Sequence, residues 1–367
     1  MFHLYLTLAY IIPNIYVFFR IRDLFISKGY KVYFGMFYFL LFTVYPVSEF
    51  ISHREMNALI SLISVIANYL LPFYLYVFLS VLLFDLFLLL NTWLHLVSDE
   101  VRRSLNFRKY VLSSIIAVSV IIVIGGIVNL NTIRYSKYSI TIPRKASRLN
   151  HLRVAFVADF HIQQNSHVQF VDQFVKKINA ARPDILLYGG DIIERGGEPE
   201  AVKLSLRNIV TQFGSYAVLG NHEFYSGQNK GDFFRQAGIQ LLCDTIMRID
   251  ESFYIGGRFD QHFNQRKSAN ELLRGITPDL PILLMDHRPT ELTEVSKTGT
   301  DAQFSGHTHN GQLFPINLIT SAVYELSWGH KKINNTHFFV TSGLRLWGPP
   351  VKTAGKSEIM IIDIEFK

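Results

Sequence analysis

The 367-residue sequence holds one cysteine, Cys243, so no disulfide can close within the chain and redox chemistry has no pair of thiols to use. Charge is scarce as well. Asp, Glu, Lys and Arg make up 18% of the residues against 49% hydrophobic, a balance that suits a protein partly solvated by lipid. The scarcity is concentrated: no charged residue occurs in 1–19, 32–48, 56–84 or 110–131, and no comparable run follows. Internal repeats and low-complexity tracts are missing too, which leaves two ordinary units as the expectation for a chain of this length.

A bilayer core needs about 20 apolar residues as helix, so the four uncharged runs predict four transmembrane helices in an all-α region spanning 1–133. A cleaved signal peptide is a poorer account of the first run, which lacks a basic start, contains Pro13 and leads into further spans. Residues 56–98 are interrupted only by Asp85, and fit either one long helix or a tight hairpin around Pro72. Asp85 itself is left unassigned. Basic residues follow the first run (Arg20, Arg22, Lys28, Lys31) and the third (Arg102, Arg103, Arg108, Lys109), with only Arg54 between the second and third. The positive-inside rule then puts the two basic loops in the cytoplasm and the C-terminal domain on the extracytoplasmic face, although Arg134, Lys137, Arg144, Lys145 and Arg148 pull the other way. These flanking groups account for the net charge of +7 as lipid anchors and topology signals; the expected partner is the lipid bilayer, and no nucleic acid is expected.

From residue 134 to 367 short apolar runs alternate with helical patterns. Strands are expected at 139–142, 153–158, 185–188, 216–219, 241–243, 253–255, 282–285, 302–304 and 338–341, with helices at 168–180, 199–210 and near Asn270 and Glu291. That order predicts an α/β layered sandwich of mixed β-sheets flanked by helices.

Five polar blocks close predicted strands, where the loops of such folds converge on a ligand. They are Asp159-Phe160-His161, Gly189-Gly190-Asp191, Gly220-Asn221-His222-Glu223, Met285-Asp286-His287-Arg288-Pro289 and Gly306-His307-Thr308-His309-Asn310-Gly311-Gln312. If strand-like backbone continues, residues two apart point the same way, which would aim Asp159 with His161, and His307 with His309, at a common point. Imidazole and carboxylate with one amide and no thiolate suit Mn, Fe, Zn or Co better than a soft-metal or iron–sulfur centre. One such block alone is more simply a turn or a hydrogen-bonded strand end; five in order are not. His151, His167, His262, His330 and His337 lie outside the blocks and are read as surface or packing residues. Asp286, Glu223 and Gln312 are expected to fix imidazole tautomers, and Arg258, Arg345 and Lys352 are surface charges more simply than phosphate ligands.

The ordered blocks resemble the calcineurin-like metallophosphoesterase family from about residue 140 to the C-terminus. The preceding helices and the tail Ser342-Gly343-Leu344-Arg345-Leu346-Trp347-Gly348-Pro349-Pro350 resemble its bacterial membrane-bound branch, with Arg345 where that pattern has a small residue. The resemblance implies two divalent ions, manganese among the candidates, one held by Asp159, His161 and His309, the other by Asn221, His287 and His307, and both bridged by Asp191. It further implies that His222 is catalytic, stabilising developing charge or protonating the leaving oxygen. Paired ions of this kind acidify water to hydroxide for in-line attack, with no covalent enzyme intermediate. The implied protein is a multi-pass enzyme of the bacterial cell membrane, a metal-dependent phosphoric ester hydrolase acting on a phosphoester or pyrophosphate bond in a lipid-linked or cell-envelope substrate. A nuclease or nucleotide phosphodiesterase would share the site but need a groove for bases, and a non-catalytic membrane scaffold would have no use for His222.

Overall fold

The computed structural model describes residues 2–51, 58–163, 168–194, 199–225, 231–277 and 279–367, so Arg54 and His167 lie outside the described residues. The chain forms two compact units, Met1–Val128 with Gly348–Thr353, and Asn129–Trp347 with Ala354–Lys367.

The helical unit contains α1 (Phe2–Leu24), α2 (Lys31–Ile51), α3 (Ala58–Leu94), the short α4 (Asp99–Arg103) and α5 (Leu105–Asn131). Among the described residues 3 segments are long and apolar enough to cross a membrane, and they contain α2, α3 and α5. The first of the four expected spans is helical too: α1 continues past residue 19 and carries Arg20, Arg22 and Asp23 in its own last turns. Arg20 Nε donates to Asp85 Oδ2 of α3 at 2.8 Å, and the Tyr16 hydroxyl donates to the same carboxylate. A lone carboxylate at membrane depth costs several kcal/mol; paired in this way, Asp85 is a helix-packing group. α3 is one continuous helix of 37 residues with Pro72 inside it, about 55 Å long, so no hairpin forms at Pro72. Val17, Ile21, Val77, Val81 and Ile115 form the interior of this unit, while Met36, Phe37, Leu40, Leu62, Leu83 and Ile121 face outward, the arrangement a lipid solvent permits.

The second unit is built on two six-stranded sheets. Along the first lie β1 (Arg134–Ile142), β12 (Glu358–Phe366), β2 (His151–Val157), β3 (Ile185–Tyr188), β4 (Ser215–Ala217) and β5 (Gln240–Leu241), with β1 and β12 running against the other strands. Along the second lie β10 (Gly329–Ile333), β11 (Thr336–Val340), β9 (Ala302–Ser305), β8 (Ile282–Met285), β7 (Phe253–Gly257) and β6 (Thr245–Ile249), parallel except for β10 and β6 at the edges. Alternation along the strands sorts the side chains. Val154, Phe156, Ile185 and Leu187 meet Leu283, Met285, Phe304 and Phe339 between the sheets. Ala155, Val157, Leu186 and Tyr188 pack instead on α6 (Val168–Ala181) and α7 (Glu200–Leu206) through Phe170, Phe174, Ile178 and Val202. Leu284 and Phe338 face the short helices Ala269–Leu272 and Leu292–Val295. A slip of one residue would turn each strand's core set to the wrong layer, at about 1.5–3 kcal/mol per large side chain, so the stack fixes register.

Three strands went unread in the sequence. β10 carries His330, Lys331 and Lys332, the charged edge that discourages pairing with another chain and erases the apolar pattern. β6 is an edge strand too. β12 is central, and its place between β1 and β2 depends on pairing with residues about two hundred positions away, which no local signal reports.

Candidate metal centre

The parallel strands deliver the polar blocks to one edge of the stack. Asp159 and His161 follow β2, Asp191 follows β3, Asn221 and His222 open α8 (Asn221–Tyr225) after β4, His287 follows β8, and His307 and His309 follow β9. The backbone does not continue as strand, contrary to the expectation from alternation. Asp159, His161, Asp191, His307 and His309 have φ of 55°, 48°, 52°, 70° and 48°, the left-handed region, which costs a non-glycine residue about 1–2 kcal/mol. Turns therefore aim these side chains, and the loops hold one another in place. Asp159 N–H donates to Gly190 O and His161 N–H to Asp191 O, both at 3.0 Å, and His307 N–H reaches both Asp159 carboxylate oxygens at 3.1 Å.

Two sets of donors converge. The ligand atoms of Asp159, His161 and His309 lie within 4.8 Å of one another, as do those of Asp191, His287 and His307. His161 Nε2 and His309 Nε2 face each other at 3.2 Å, His309 Nε2 is 3.7 Å from Asp159 Oδ1, and His287 Nε2 is 3.1 Å from Asp191 Oδ2. His287 Nδ1 donates to Gly189 O at 2.7 Å, which aims the opposite nitrogen into the cluster. Asn221 is buried, and its Oδ1 has no hydrogen-bond partner among the described residues. Asp159 and Asp191 are wholly buried carboxylates, which require compensating positive charge. Burial opposes a charge on His287, yet Asp191 and Asp159 push it up to about 10, while burial together with His287 and Arg288 drives His307 down to about 3. The convergent nitrogens, the orphaned amide oxygen and the buried carboxylates fit the binding of divalent metal.

Two glutamates brace this constellation. Glu223 accepts the backbone N–H groups of Asp191, Ile192, Ile193 and Gly220 at 3.0, 2.6, 2.9 and 2.7 Å, so it ties two ligand loops together. Glu194, which the sequence did not single out, places Oε1 2.7 Å from His161 Nδ1 and 2.8 Å from His222 Nδ1. These three groups also fall within a possible cage, but both distances are those of charge-assisted hydrogen bonds. Burial raises the Glu194 pKa and the two imidazoles more than offset it, bringing it down to about 2. Two glycines permit the close approach: a Cβ on Gly220 would stand 2.1 Å from Asp191 Oδ1, and one on Gly190, at φ +92°, would stand 2.6 Å from His287 Nδ1.

His222 stands at the rim, its Nε2 4.0 Å from Asp191 Oδ2 and its ring 6.3 Å from that of Trp347. His262 is not an idle surface residue. Its Nδ1 is 2.7 Å from Asp260 Oδ1, its Nε2 is 2.8 Å from the Tyr225 hydroxyl, and Arg288 Nε donates to Asp260 Oδ2 at 2.8 Å. Asp286 turns away from the imidazoles, accepting from Arg258 at 2.8 Å and Arg266 at 2.6 Å. Arg258 is therefore a buried pairing group, and Lys352 is buried as well, so neither is a surface charge. Arg345 lies over the Phe170 ring at 4.5 Å, and Gln312 accepts the Ala354 N–H through its carbonyl at 3.0 Å. His330 and His337 stack on each other at 5.2 Å, and His151 lies 3.3 Å from Asp363.

Comparison with known proteins agrees with this chemistry. Residues 152–311 match the family described as Calcineurin-like phosphoesterase. An uncharacterized metallophosphoesterase of Helicobacter pylori is 27% identical over 216 residues, which cover 57% of this chain and 58% of that one, so the chain spans less than two thirds of that relative's length. A transmembrane protein with metallophosphoesterase domain from Danio rerio is 26% identical over 281 residues, covering 71% of this chain and 64% of its own. The UDP-2,3-diacylglucosamine pyrophosphatase LpxG of Chlamydia trachomatis is 22% identical over 237 residues, 50% of this chain and 71% of its own.

Proposed function

Because its C-terminal unit is a calcineurin-like phosphoesterase domain, we propose that this protein is a membrane-anchored two-metal phosphoesterase that hydrolyses a phosphoester or pyrophosphate bond in a lipid-linked or cell-envelope substrate. The observation that carries the proposal is the convergence of two buried donor sets around Asp159 and Asp191. On this reading Asp159, His161 and His309 would hold one ion, Asn221, His287 and His307 would hold the other, and Asp191 would serve both. Bound there, Mn, Fe, Zn or Co would supply Lewis acidity toward the phosphoryl oxygens and lower the pKa of water toward neutrality.

The chain's own groups do the rest. Glu194 keeps the protons of His161 and His222 on Nδ1, leaving the lone pair of His161 Nε2 for a cation and turning His222 Nε2 toward the substrate side. Burial opposes a charge on His222, but Glu194 and Asp191 more than offset it and raise its pKa, so the imidazolium, carrying a second proton on Nε2, stabilises charge developing on the phosphoryl group or gives that proton to the leaving oxygen. The membrane-length helices and the lipid-linked substrate in the name of LpxG support a substrate at the bilayer surface, where tethering raises its effective concentration.

The test uses the full chain in neutral detergent with added Mn, assayed on bis(p-nitrophenyl) phosphate, p-nitrophenyl phosphate and a membrane lipid extract. Asp191→Asn should lose bound metal and activity together, whereas His222→Ala should keep its metal and lose about a hundred- to ten-thousand-fold in rate. Silence of the unmodified protein with both ions bound would establish a scaffold instead. The domain belongs, in the same proposal, on the extracytoplasmic face; reporters fused at the C-terminus and in the loop containing Lys28 must then label opposite sides, and the same side refutes it.

A further inference from the structure

The helical unit has a cavity of about 380 Å³, within the range of ligand-sized sites of roughly 300–1,000 Å³. It opens where α1 ends and where α4 and the start of α5 meet the C-terminal half of α3. Aromatic rings of Phe25, Phe84 and Phe107 line it, and so do Arg102, Arg103 and Arg108. Phe84 is in ring contact with both others, 5.6 Å from Phe25 and 6.5 Å from Phe107, so the wall is a continuous apolar surface.

The cations are fixed differently. Arg102 pairs with Asp99, and Arg108 Nε donates to the carbonyl of Leu24, the last residue of α1, which anchors that guanidinium at the helix end. The Arg103 guanidinium has no hydrogen bond or ion pair among the described residues. Asp23, the acid in the lining, is already engaged by Arg22 Nε at 2.9 Å and Lys31 Nζ at 3.1 Å. A cavity with surplus guanidinium at its mouth and aromatic carbon along its wall, at the ends of membrane-length helices, matches a ligand that is anionic at one end and aliphatic at the other.

We propose that this cavity binds one anionic phospholipid, its phosphate on Arg103 and Arg108 and its first methylenes against Phe25, Phe84 and Phe107. Free phosphate would use the guanidinium groups and leave the aromatic wall wet, and a zwitterionic lipid would bring a choline into the arginine cluster. The site depends on the helical unit lying in a bilayer and not on the hydrolytic activity, so either can fail without the other.

The experiment is native mass spectrometry of the full chain in neutral detergent with EDTA, which prevents metal-dependent hydrolysis of the probe. Dioleoylphosphatidylglycerol, dioleoylphosphatidylcholine and inorganic phosphate are added in separate arms. One phosphatidylglycerol should be retained in preference to phosphatidylcholine and should resist millimolar phosphate. Arg103→Gln should weaken it about fivefold, and the change of Arg102, Arg103 and Arg108 together to Gln at least tenfold, whereas Lys137→Gln, an equal charge change in the second unit, should leave it unaltered. If the triple variant does not fold, Arg103→Gln decides, since Arg103 has no structural pairing to lose. Equal retention of both lipids, displacement by phosphate alone, or the same affinity in Arg103→Gln and Lys137→Gln would overturn the proposal.

Discussion

Replacing Glu194 by alanine removes one carboxylate oxygen that holds two imidazoles, 2.7 Å from His161 Nδ1 and 2.8 Å from His222 Nδ1. Each is a hydrogen bond to a charged group, worth about 1.5–3 kcal/mol when dry, and Glu194 is partly open to solvent, so water replaces some of it. Loss of a group that orients a ligating histidine costs about 10- to 100-fold, or roughly 1.4–2.7 kcal/mol. Because His161 is assigned to a metal and His222 to the substrate, Glu194→Ala should raise the Mn concentration for half-maximal activity by about that factor and also lower kcat at saturating Mn about tenfold. Glu194→Gln keeps an acceptor oxygen without its charge and should fall between the two. The assay is a Mn titration of bis(p-nitrophenyl) phosphate hydrolysis, with bound metal measured separately. A shared oxygen must move both parameters: a variant within twofold of the parent, or one shifted in metal affinity alone, refutes the assignment.

Gly220→Ala would set a Cβ 2.1 Å from Asp191 Oδ1 and displace that carboxylate; a shift near 1 Å should cost about a hundredfold in kcat/KM with reduced metal content, read in the same titration. Arg258→Met leaves the buried Asp286 with Arg266 alone and should destabilise the fold by about 3 kcal/mol, seen as a melting temperature lower by roughly 6–12 °C. Asp363 has its pKa held below the usual carboxylate value by its hydrogen bond from Arg153 against slight burial. Its contribution is present above the unfolded value of about 3.9 and disappears as pH falls through the lower folded value, so Asp363→Asn should flatten the acid limb of the melting curve below about pH 4 and change little at neutrality.

Much of the second unit is legible in its residues. Continuous apolar runs such as Ile185–Tyr188 and Ile282–Met285 are buried on both faces, and those strands occur where the runs do. Charge-free stretches likewise mark the long helices, because lipid tolerates few ionised groups whatever the tertiary fold. What resisted reading depends on distant partners. Arg20 looked like a loop residue until α1 was seen to carry it to Asp85, and Asp286 looked like a tautomer anchor until its carboxylate was found between Arg258 and Arg266. Glu194 stands outside the polar blocks, and nothing in the isoleucines before it announces a bridging carboxylate.

The sequence by itself determined which chemical groups stand at the strand ends, since strand length, alternation and glycine placement act over a few residues. Only the tertiary structure decided which of those groups meet. His161 and His309 are 148 positions apart and follow strands of different sheets, and their nitrogens come to 3.2 Å because buried phenylalanines and leucines set the stacking of one sheet on the other, while left-handed turns, rather than strand alternation, aim the rings inward.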